Sequence, residues 1–118
     1  MLTVSMKREI NSSTSGTLGT TTYTAQYTYN IRKATKYADK RVHVELTVAF
    51  DINIPTGRAL ATVPTGFRPS VTKTVPAIIV TEDTTVITGI VSIATDGTIV
   101  QNHTGYARKI YVDAWYDI

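Results

Sequence analysis

A short loop near the end of the chain, QNHTGYA at 101–107, contains three side chains that suit the binding of a sugar. Asn102 offers an amide, His103 an imidazole and Tyr106 an aromatic ring. An aromatic ring packs against the apolar face of a sugar, while planar amides, imidazoles and carboxylates bond its hydroxyls. We therefore predict that these three residues bind carbohydrate. The structural alternative is that Tyr106 packs beneath the loop and His103 is simply exposed.

A second candidate site lies on the last apolar segment, ARKIYVDAWYDI at 107–118. Alternate residues of a strand point to opposite faces. One face then carries Ile110, Val112, Ala114, Tyr116 and Ile118. Tyr111 and Trp115 fall on the other face, and burying each ring would gain ~1.5–3 kcal/mol. We predict that Tyr111 and Trp115 form a subunit interface; a saccharide platform, a second sheet and simple exposure are the alternatives.

The remaining reactive side chains do not form a catalytic or metal-binding pattern. Cys is absent, and His43 and His103 have no further ligands at a metal spacing. Asp113 and Asp117 would lie about 13 Å apart on one strand, beyond the ~5–9.5 Å of a glycosidase pair. Glu82 and Asp83 suit a turn that helps to hold calcium, but no full ligand set accompanies them. We predict a protein that is not an enzyme and has no cofactor.

A basic segment, IRKATKYADKR at 31–41, contains five of the twelve Lys and Arg residues together with Tyr37. Cations interleaved with an aromatic ring can bind single-stranded nucleic acid. The same composition is typical of a solvated loop between two strands, with lysines protecting a sheet edge. The net charge is only +3, and no apolar run approaches the ~20 residues of a membrane helix. We predict neither a nucleic-acid nor a membrane partner.

The elements that position these residues are predicted to be β-strands. Thr, Val, Ile and Tyr are abundant, and branched and aromatic side chains fit a pleated surface. In VHVELTVAFDINI every second residue from Val42 to Ile54 is apolar, which predicts one buried face. This stretch is longer than a usual strand, so we expect a bend or bulge near Ala49.

Six further segments show strand patterns. Upstream, an amphipathic strand is predicted with Tyr23, Tyr27, Tyr29 and Ile31 on one face. Downstream, strands are predicted within 59–63, 71–80, 84–94, 98–102 and 107–118. Several short strands at this spacing indicate an all-β, antiparallel β-sandwich or a barrel.

The chain length favours one domain. Its 118 residues are enough for a single core and too few for two. Residues 11–22, NSSTSGTLGTTT, are typical of a linker or a loosely held leading edge. We predict residues 1–17 as a linker or leading segment and 18–118 as the domain. Residues 1–10 lack the apolar stretch of ~7–15 residues that a secretory signal contains.

Two short motifs predict how the strands are connected. TDGT at 95–98 indicates a two-residue type I′ hairpin turn, with Thr95 facing Thr98 and Ile93 facing Val100. ATVPTGFRPS at 61–70 predicts a stiff corner, because its prolines and glycine end one strand and redirect the chain. The structural residues of this corner are Pro64, Gly66, Phe67, Arg68 and Pro69. Phe67 is expected to pin the corner to the core, and Arg68 to bond loop carbonyls, a carboxylate or a ligand.

The order of these motifs resembles the C-terminal receptor-binding head domains of bacteriophage tail-fibre and baseplate proteins. YNIRKA is followed by the long alternating strand, the PTGFRP corner, the IATDGTI hairpin and a final aromatic strand. The resemblance covers about residues 27–118 and rests on Arg32, Lys33, Pro64, Gly66, Phe67, Arg68, Pro69, Ile93, Asp96, Gly97 and Ile99. The chain departs from the family pattern at Val63, where Leu is common, and at Phe67, where Tyr is common. TKYADK also lengthens one connection.

The resemblance implies a jelly-roll-like β-sandwich head that is commonly trimeric. Its members bind saccharides or other polymers on a bacterial surface, and the implied function is non-catalytic adhesion to host cell-surface polysaccharide. The implied location is the virion, after synthesis in the bacterial cytoplasm, with other tail or baseplate proteins as partners. A structural virion module with protein contacts alone is the alternative, and an accessory domain of a depolymerase is a third. Because function belongs to sites carried on a fold, the fold transfers better than the ligand.

Overall fold

The computed structural model describes residues 13–21 and 26–118. Within these residues the chain forms eight β-strands, and no helix among them has the length and apolar character needed to span a bilayer. The strands are β1 (Ser13–Thr17), β2 (Tyr27–Tyr37), β3 (Arg41–Ile54), β4 (Ala59–Thr62), β5 (Lys73–Thr81), β6 (Val86–Ile93), β7 (Thr98–Gln101) and β8 (Ala107–Asp117). The prediction of an all-β fold is confirmed, as are the five predicted downstream strands.

The eight strands form one antiparallel sheet in the order β1-β2-β3-β8-β5-β6-β7-β4. The sheet curls until its two ends meet. There Gly19, just after β1, and Thr62 in β4 exchange backbone hydrogen bonds of 2.7 and 2.9 Å. The phenol of Tyr27 also donates to the carbonyl of Ala59 at 2.9 Å, which ties β2 to β4. One sheet therefore supplies both walls around the core.

The inner face of this curled sheet is the core. The predicted alternation is confirmed in the two central strands. The buried set in β3 is Val42, Val44, Leu46, Val48, Phe50 and Ile54, and the alternating buried set in β8 is Ile110, Val112, Ala114 and Tyr116. Ala107 is also buried, beyond a shift in the register of β8. The two strands pair from Arg41–Asp117 to Ala49–Lys109. Their register then shifts between Ala49 and Ile54, which confirms the expected irregularity near Ala49.

The side chains of β2 change from one face of the sheet to the other part-way along the strand. Its register with β3 shifts between Tyr29 and Ile31, and Ile31 pairs with Thr47 on the outer face. Ile31 is 45% exposed, whereas Tyr27 is buried. The prediction that Ile31 shares a face with Tyr27 and Tyr29 is wrong, because one extra residue in a bulge reverses the alternation that follows it. Tyr23 lies outside the described residues.

Residues 13–17, which were predicted to lie ahead of the domain, form the edge strand β1. They pair with β2 from Ser13–Tyr37 to Thr17–Lys33. Gly16 lies so close to the corner that an added Cβ would be 3.1 Å from Cγ of Pro64. Leu18, at the predicted boundary, is fully buried. The boundary itself stays a prediction.

Three hairpin connections in the described chain use the same turn. In each, the last loop residue donates its N–H to the carbonyl three residues earlier and has a positive φ. These residues are Lys40 (φ 70°), Thr84 (φ 67°) and Gly97 (φ 90°). An aspartate precedes each one, and its carboxylate accepts the N–H two residues further on: Asp39 from Arg41, Asp83 from Thr85 and Asp96 from Thr98. This is the three-residue loop in which a type I turn is followed by a left-handed residue.

The predicted two-residue turn at Asp96–Gly97 is therefore wrong. Ile93 pairs with Ile99 rather than with Val100, and the loop contains three residues. Within this loop only Gly97 has a positive φ. The carboxylate of Asp96 accepts the N–H of Thr98 at 3.0 Å, which an ordinary type I turn allows. In the observed register Ile93 and Ile99 are both fully buried.

Replacing Lys40 by glycine is expected to stabilise the protein by about 0.5–1 kcal/mol. A side chain at positive φ costs roughly 1–2 kcal/mol, and the flexibility of glycine in the unfolded chain takes back part of that gain. Urea unfolding measures the difference. Lys40→Ala keeps the Cβ and is the control, so it should show no such gain. A glycine variant no more stable than the alanine variant would contradict the argument.

The proline corner and the 95–97 hairpin lie against each other. The N–H of Val63 donates to the carbonyl of Gly97 at 2.8 Å, and Nε of Arg68 donates to the carbonyl of Val63 at 2.9 Å. The pKa of Asp96 is held below its ordinary value by hydrogen bonds from Thr98 and, less strongly, by the charge of Arg68. Two motifs that are distant in sequence thus form one structural unit.

Contacts with buried residues of the core also hold the corner in place. Gly66 has φ 94°, and the N–H of Phe67 closes the turn onto the carbonyl of Pro64 at 3.1 Å. The ring of Phe67 is 9% exposed, and Pro69 is buried. The carbonyl of Phe67 accepts a hydrogen bond of 2.5 Å from the phenol of Tyr116. The end of β8 therefore holds the corner in place.

Replacing Tyr116 by phenylalanine is expected to cost about 1–3 kcal/mol, because the buried carbonyl of Phe67 loses its partner. Burial raises the pKa of Tyr116 to about 12, above the value of ~10 in an unfolded chain. The folded state therefore favours the neutral phenol. This stabilisation is complete below about pH 10 and is lost as the pH rises toward 12.

Urea unfolding of the parent and of Y116F across the alkaline range tests this pH dependence. We expect the stability of Y116F to fall less steeply above pH ~10, because the variant lacks this titration. Tyr106→Phe removes the hydroxyl of a half-exposed tyrosine and serves as the control. Equal slopes for the parent and Y116F would contradict the assignment.

Candidate functional site

The β5–β6 hairpin and the connection between β7 and β8 enclose a surface cleft of about 280 Å³, which we call the loop cleft. Its lining consists of Thr81, Glu82, Asp83, Thr85, His103, Gly105 and Tyr106. The two segments meet because β8, β5, β6 and β7 are successive neighbours in the sheet. The loop cleft thus combines hydroxyls, carboxylates, an imidazole and a phenol ring.

Hydrogen bonds to the adjoining 55–58 turn hold the 102–106 connection. The hydroxyl of Thr56 donates to the carbonyl of His103 at 2.5 Å and accepts the N–H of Gly105 at 3.4 Å. The buried amide of Gln101 donates to the carbonyl of Gly105 at 3.1 Å. These bonds order the backbone beneath His103. The site is therefore preformed on its loop side.

The structure brings together two of the three predicted sugar-binding residues. His103 and Tyr106 both line the loop cleft, and Tyr106 is 48% exposed. Asn102 is half-buried, is not in the lining, and its N–H donates to the carbonyl of Ile90 at 3.1 Å. The exposure of Tyr106 does not fit the alternative in which its ring packs beneath the loop.

Sequence reasoning did not connect the acidic pair of the β5–β6 hairpin with this loop. The carboxylate of Asp83 accepts hydrogen bonds from the hydroxyl of Thr81 and the N–H of Thr85. These bonds, the one from Thr81 first, hold the pKa of Asp83 below its ordinary value. The amide of Asn53 donates to Glu82 at 3.2 Å. Both acids are thus oriented by neighbours while they line the cleft.

The sequence suggested that Glu82 and Asp83 could help to hold calcium, and the structure adds no further ligands to this pair among the described residues. Across residues 13–21 and 26–118, no group of three or more His, Asp or Glu side chains is arranged to bind a metal.

A second concave surface, which we call the outer wall, is the outer face of β2, β3, β8, β5 and β6. Its central row crosses five strands in register and contains Ile31, Thr47, Tyr111, Ile78 and Thr88. These residues line part of a groove of about 430 Å³. Five large side chains of the wall are between 38% and 48% exposed: Ile31, Ile78, Ile90, Tyr111 and Trp115. These half-exposed apolar side chains share one face of the sheet, and a charged row of Lys33, Glu45 and Asp113 separates Tyr111 from Trp115.

Trp115 lies at one end of the outer wall in a cluster of stacked rings. The imidazole of His43 stacks on it with 4.3 Å between ring centroids and 5° between planes. Tyr37 stacks on it at 5.6 Å. The guanidinium of Arg41 lies 5.3 Å from the indole centroid and forms an ion pair with Asp39 at 2.7 Å. Neighbours in the same chain therefore cover about half of the indole.

Two carboxylates connect this cluster to the groove. Nε2 of His43 lies 2.5 Å from the carboxylate of Asp113, and Nδ1 lies 3.5 Å from that of Glu45. Glu45 and Asp113 also line the groove. The aromatic cluster and the apolar groove are thus one continuous surface.

No protein-family model matches the chain, and a search of curated proteins finds no significant match.

The basic segment is not the solvated loop that its composition suggested. Residues 32–37 belong to β2, and only residues 38–40 form the turn. Arg32 pairs with Leu46 and Lys33 with Glu45, so these two cations lie on opposite faces of the sheet. Nζ of Lys36 donates to the carbonyl of Gly66 at 2.9 Å. The cations are thus divided between the two faces rather than gathered in one patch.

Proposed function

We propose that this chain is the receptor-binding head of a bacteriophage tail-fibre or baseplate protein and adheres to a host cell-surface saccharide without cleaving it. The observation that carries the proposal is the loop cleft. It combines a half-exposed ring at Tyr106, an imidazole at His103 and two carboxylates in one concave site. A sugar requires this combination of an apolar platform and planar polar groups.

The absence of cleavage is part of the proposal. Asp83 is held ionised by its own turn and Glu82 is bonded by Asn53, so both suit the acceptance of hydrogen bonds from hydroxyls. A general acid would need a carboxyl with a raised pKa. The lowered pKa of Asp83 runs in the opposite direction.

We further propose that the head is a homotrimer in the virion, where it contacts other tail or baseplate proteins. The outer wall supports an interface because half-exposed apolar residues lie on both sides of a charged row on one face of the sheet. Lys33 and Glu45 lie side by side on the wall, so a second copy can meet both signs of charge. In this proposal the curled sheet is a form of the jelly-roll-like sandwich that the resemblance implies.

The experiment that tests adhesion compares the parent with a variant in which Asn102, His103 and Tyr106 are all replaced by alanine. Retention of the labelled protein on host cells and on their purified wall polysaccharide is measured. We expect the variant to lose at least about tenfold in affinity, because each lost ring or hydrogen bond is worth roughly 1 kcal/mol or more. Tyr106→Phe keeps the ring and should retain most of the binding.

A structural virion module is the second candidate, and the outer wall is the observation that favours it. In that case the chain uses its wall to bind neighbouring virion proteins and the loop cleft has no role. The triple alanine variant would then adsorb to host cells as well as the parent does. This result would overturn the adhesion proposal and support the structural one.

A further inference from the structure

We infer that the loop cleft selects saccharides by charge: it binds sugars that carry a protonated amine best, neutral sugars less tightly, and uronate or phosphate polymers least. This inference rests on the proposed saccharide-binding function and names its ligand class. The observation behind it is the charge of the lining. Glu82 and Asp83 are both in the lining, and none of the described lining residues is Lys or Arg.

The carboxylates are fixed in the cleft by bonds that leave them able to accept more. A carboxylate has about four acceptor positions. Asp83 receives hydrogen bonds from Thr81 and Thr85 of its own hairpin, and Glu82 receives one from Asn53. A sugar ammonium group can therefore add charge-assisted hydrogen bonds without displacing these neighbours.

The aromatic ring in the cleft favours the same ligand class. Tyr106 is 48% exposed and lines the cleft together with the two acids. A phenol ring packs on the apolar face of a sugar and attracts a cation through its electron-rich face. A uronate gains the stacking alone and is repelled by the carboxylates.

The cations nearest in sequence, Arg108 and Lys109, do not line the cleft. Nε of Arg108 donates to the carbonyl of Phe50 at 3.3 Å. Nζ of Lys109 lies 4.9 Å from the ring of Tyr111, on the outer wall. The net charge of +3 on the whole chain predicts the opposite preference, for anionic polymers. Local and overall charge thus make opposing predictions, which an experiment can separate.

The experiment measures the affinity of the purified protein for three probes by calorimetry: a glucosamine oligomer, an N-acetylglucosamine oligomer and an oligogalacturonate. The pH is set below the pKa of the sugar amines, so that the glucosamine oligomer is protonated. We expect the glucosamine oligomer to bind about tenfold more tightly than the N-acetylated one. Such a difference is the effect of one well-placed charge pair near a protein surface.

Two variants assign the binding to the loop cleft. Tyr106→Ala should weaken the binding of every probe that occupies it. Glu82→Gln combined with Asp83→Asn keeps the shape of the side chains and removes their charge, so this variant should lose the roughly tenfold preference for the amine. Circular dichroism confirms that both variants are folded.

The outcomes separate the two claims. If no probe shows binding that depends on Tyr106, saccharide binding in the cleft fails, and the inference fails with it. If Tyr106-dependent binding is observed but favours the galacturonate, or does not distinguish the probes, only the charge selection is overturned. If the Tyr106→Ala variant binds galacturonate as tightly as the parent does, that binding is due to the overall charge of the protein and does not take place in the cleft.

Discussion

Replacing Gly97 by alanine is expected to destabilise the protein by about 3 kcal/mol or more, the largest loss we expect from adding one methyl group. Gly97 has φ 90°, which costs a side chain roughly 1–2 kcal/mol. An added Cβ would also collide with the carbonyl oxygen of Val63 and lie 2.7 Å from Nε of Arg68. Backbone atoms cannot yield as a flexible side chain does. The corner and the hairpin would have to separate.

The separation would break the bonds that join the two motifs. Val63 donates its N–H to Gly97, and its carbonyl accepts Nε of Arg68. Urea unfolding with circular dichroism measures the loss. Gly57→Ala is the matched control, since Gly57 has φ 89° and nothing lies within 4 Å of an added Cβ. We expect it to cost only about 1–2 kcal/mol.

The difference between these two glycine variants isolates the contact between corner and hairpin. If Gly97→Ala costs no more than Gly57→Ala, the close approach at Val63 is not a packing constraint. If the Gly97 variant is too unstable to purify, Arg68→Met can be used instead. It keeps an apolar stem and removes the hydrogen bond to Val63 together with the charge near Asp96. We expect that change to cost about 1–2 kcal/mol.

The strands could be predicted because each one buries alternate residues, and this alternation is visible within the sequence of a single strand. Val42 to Ile54 alternate in the sequence, and their pairing to β8 leaves one face inside the curled sheet. The change of face before Ile31 could not be predicted, since no particular residue type marks the extra residue of a bulge. The prediction therefore placed Ile31 on the inner face, whereas the bulge puts it on the outer face.

The turn at Asp96–Gly97 shows a second limit. A two-residue turn and a three-residue turn both accept Asp followed by Gly. The repeated aspartate before Lys40, Thr84 and Gly97 was the available signal for the longer loop, because in each case the carboxylate caps the next strand. That repetition becomes visible only when three hairpins are compared with each other.

The candidate site was half predictable for a topological reason. His103 and Tyr106 are close in sequence, so their chemistry could be recognised in one loop. Glu82 and Asp83 precede them by about twenty residues and join them only because β5 lies beside β8 in the sheet. The strand order depends on pairings across the whole chain, and the local pattern does not contain it.

Replacing Tyr111 by lysine is expected to convert the proposed trimer into a monomer. Tyr111 lies in the central row of the outer wall, between Thr47 and Ile78, and is 38% exposed. In the proposed interface each copy would bury this ring, and the variant would replace three buried rings by three desolvated charges. Burying an unpaired charge costs several kcal/mol per site, enough to abolish assembly at micromolar concentration.

Sedimentation measures the mass directly, with an expected change from three times 12.9 kDa to 12.9 kDa. Val71→Lys is the control, because Val71 is 58% exposed and lies before β5, outside the rows of the wall. It should leave the mass unchanged. The side chain of Tyr111 is partly solvated in one copy, so the lysine variant should keep the parent's circular dichroism spectrum. A parent protein that sediments as a monomer would show that the half-exposed rings of the wall meet solvent or a different protein, and would remove the interface from the proposal.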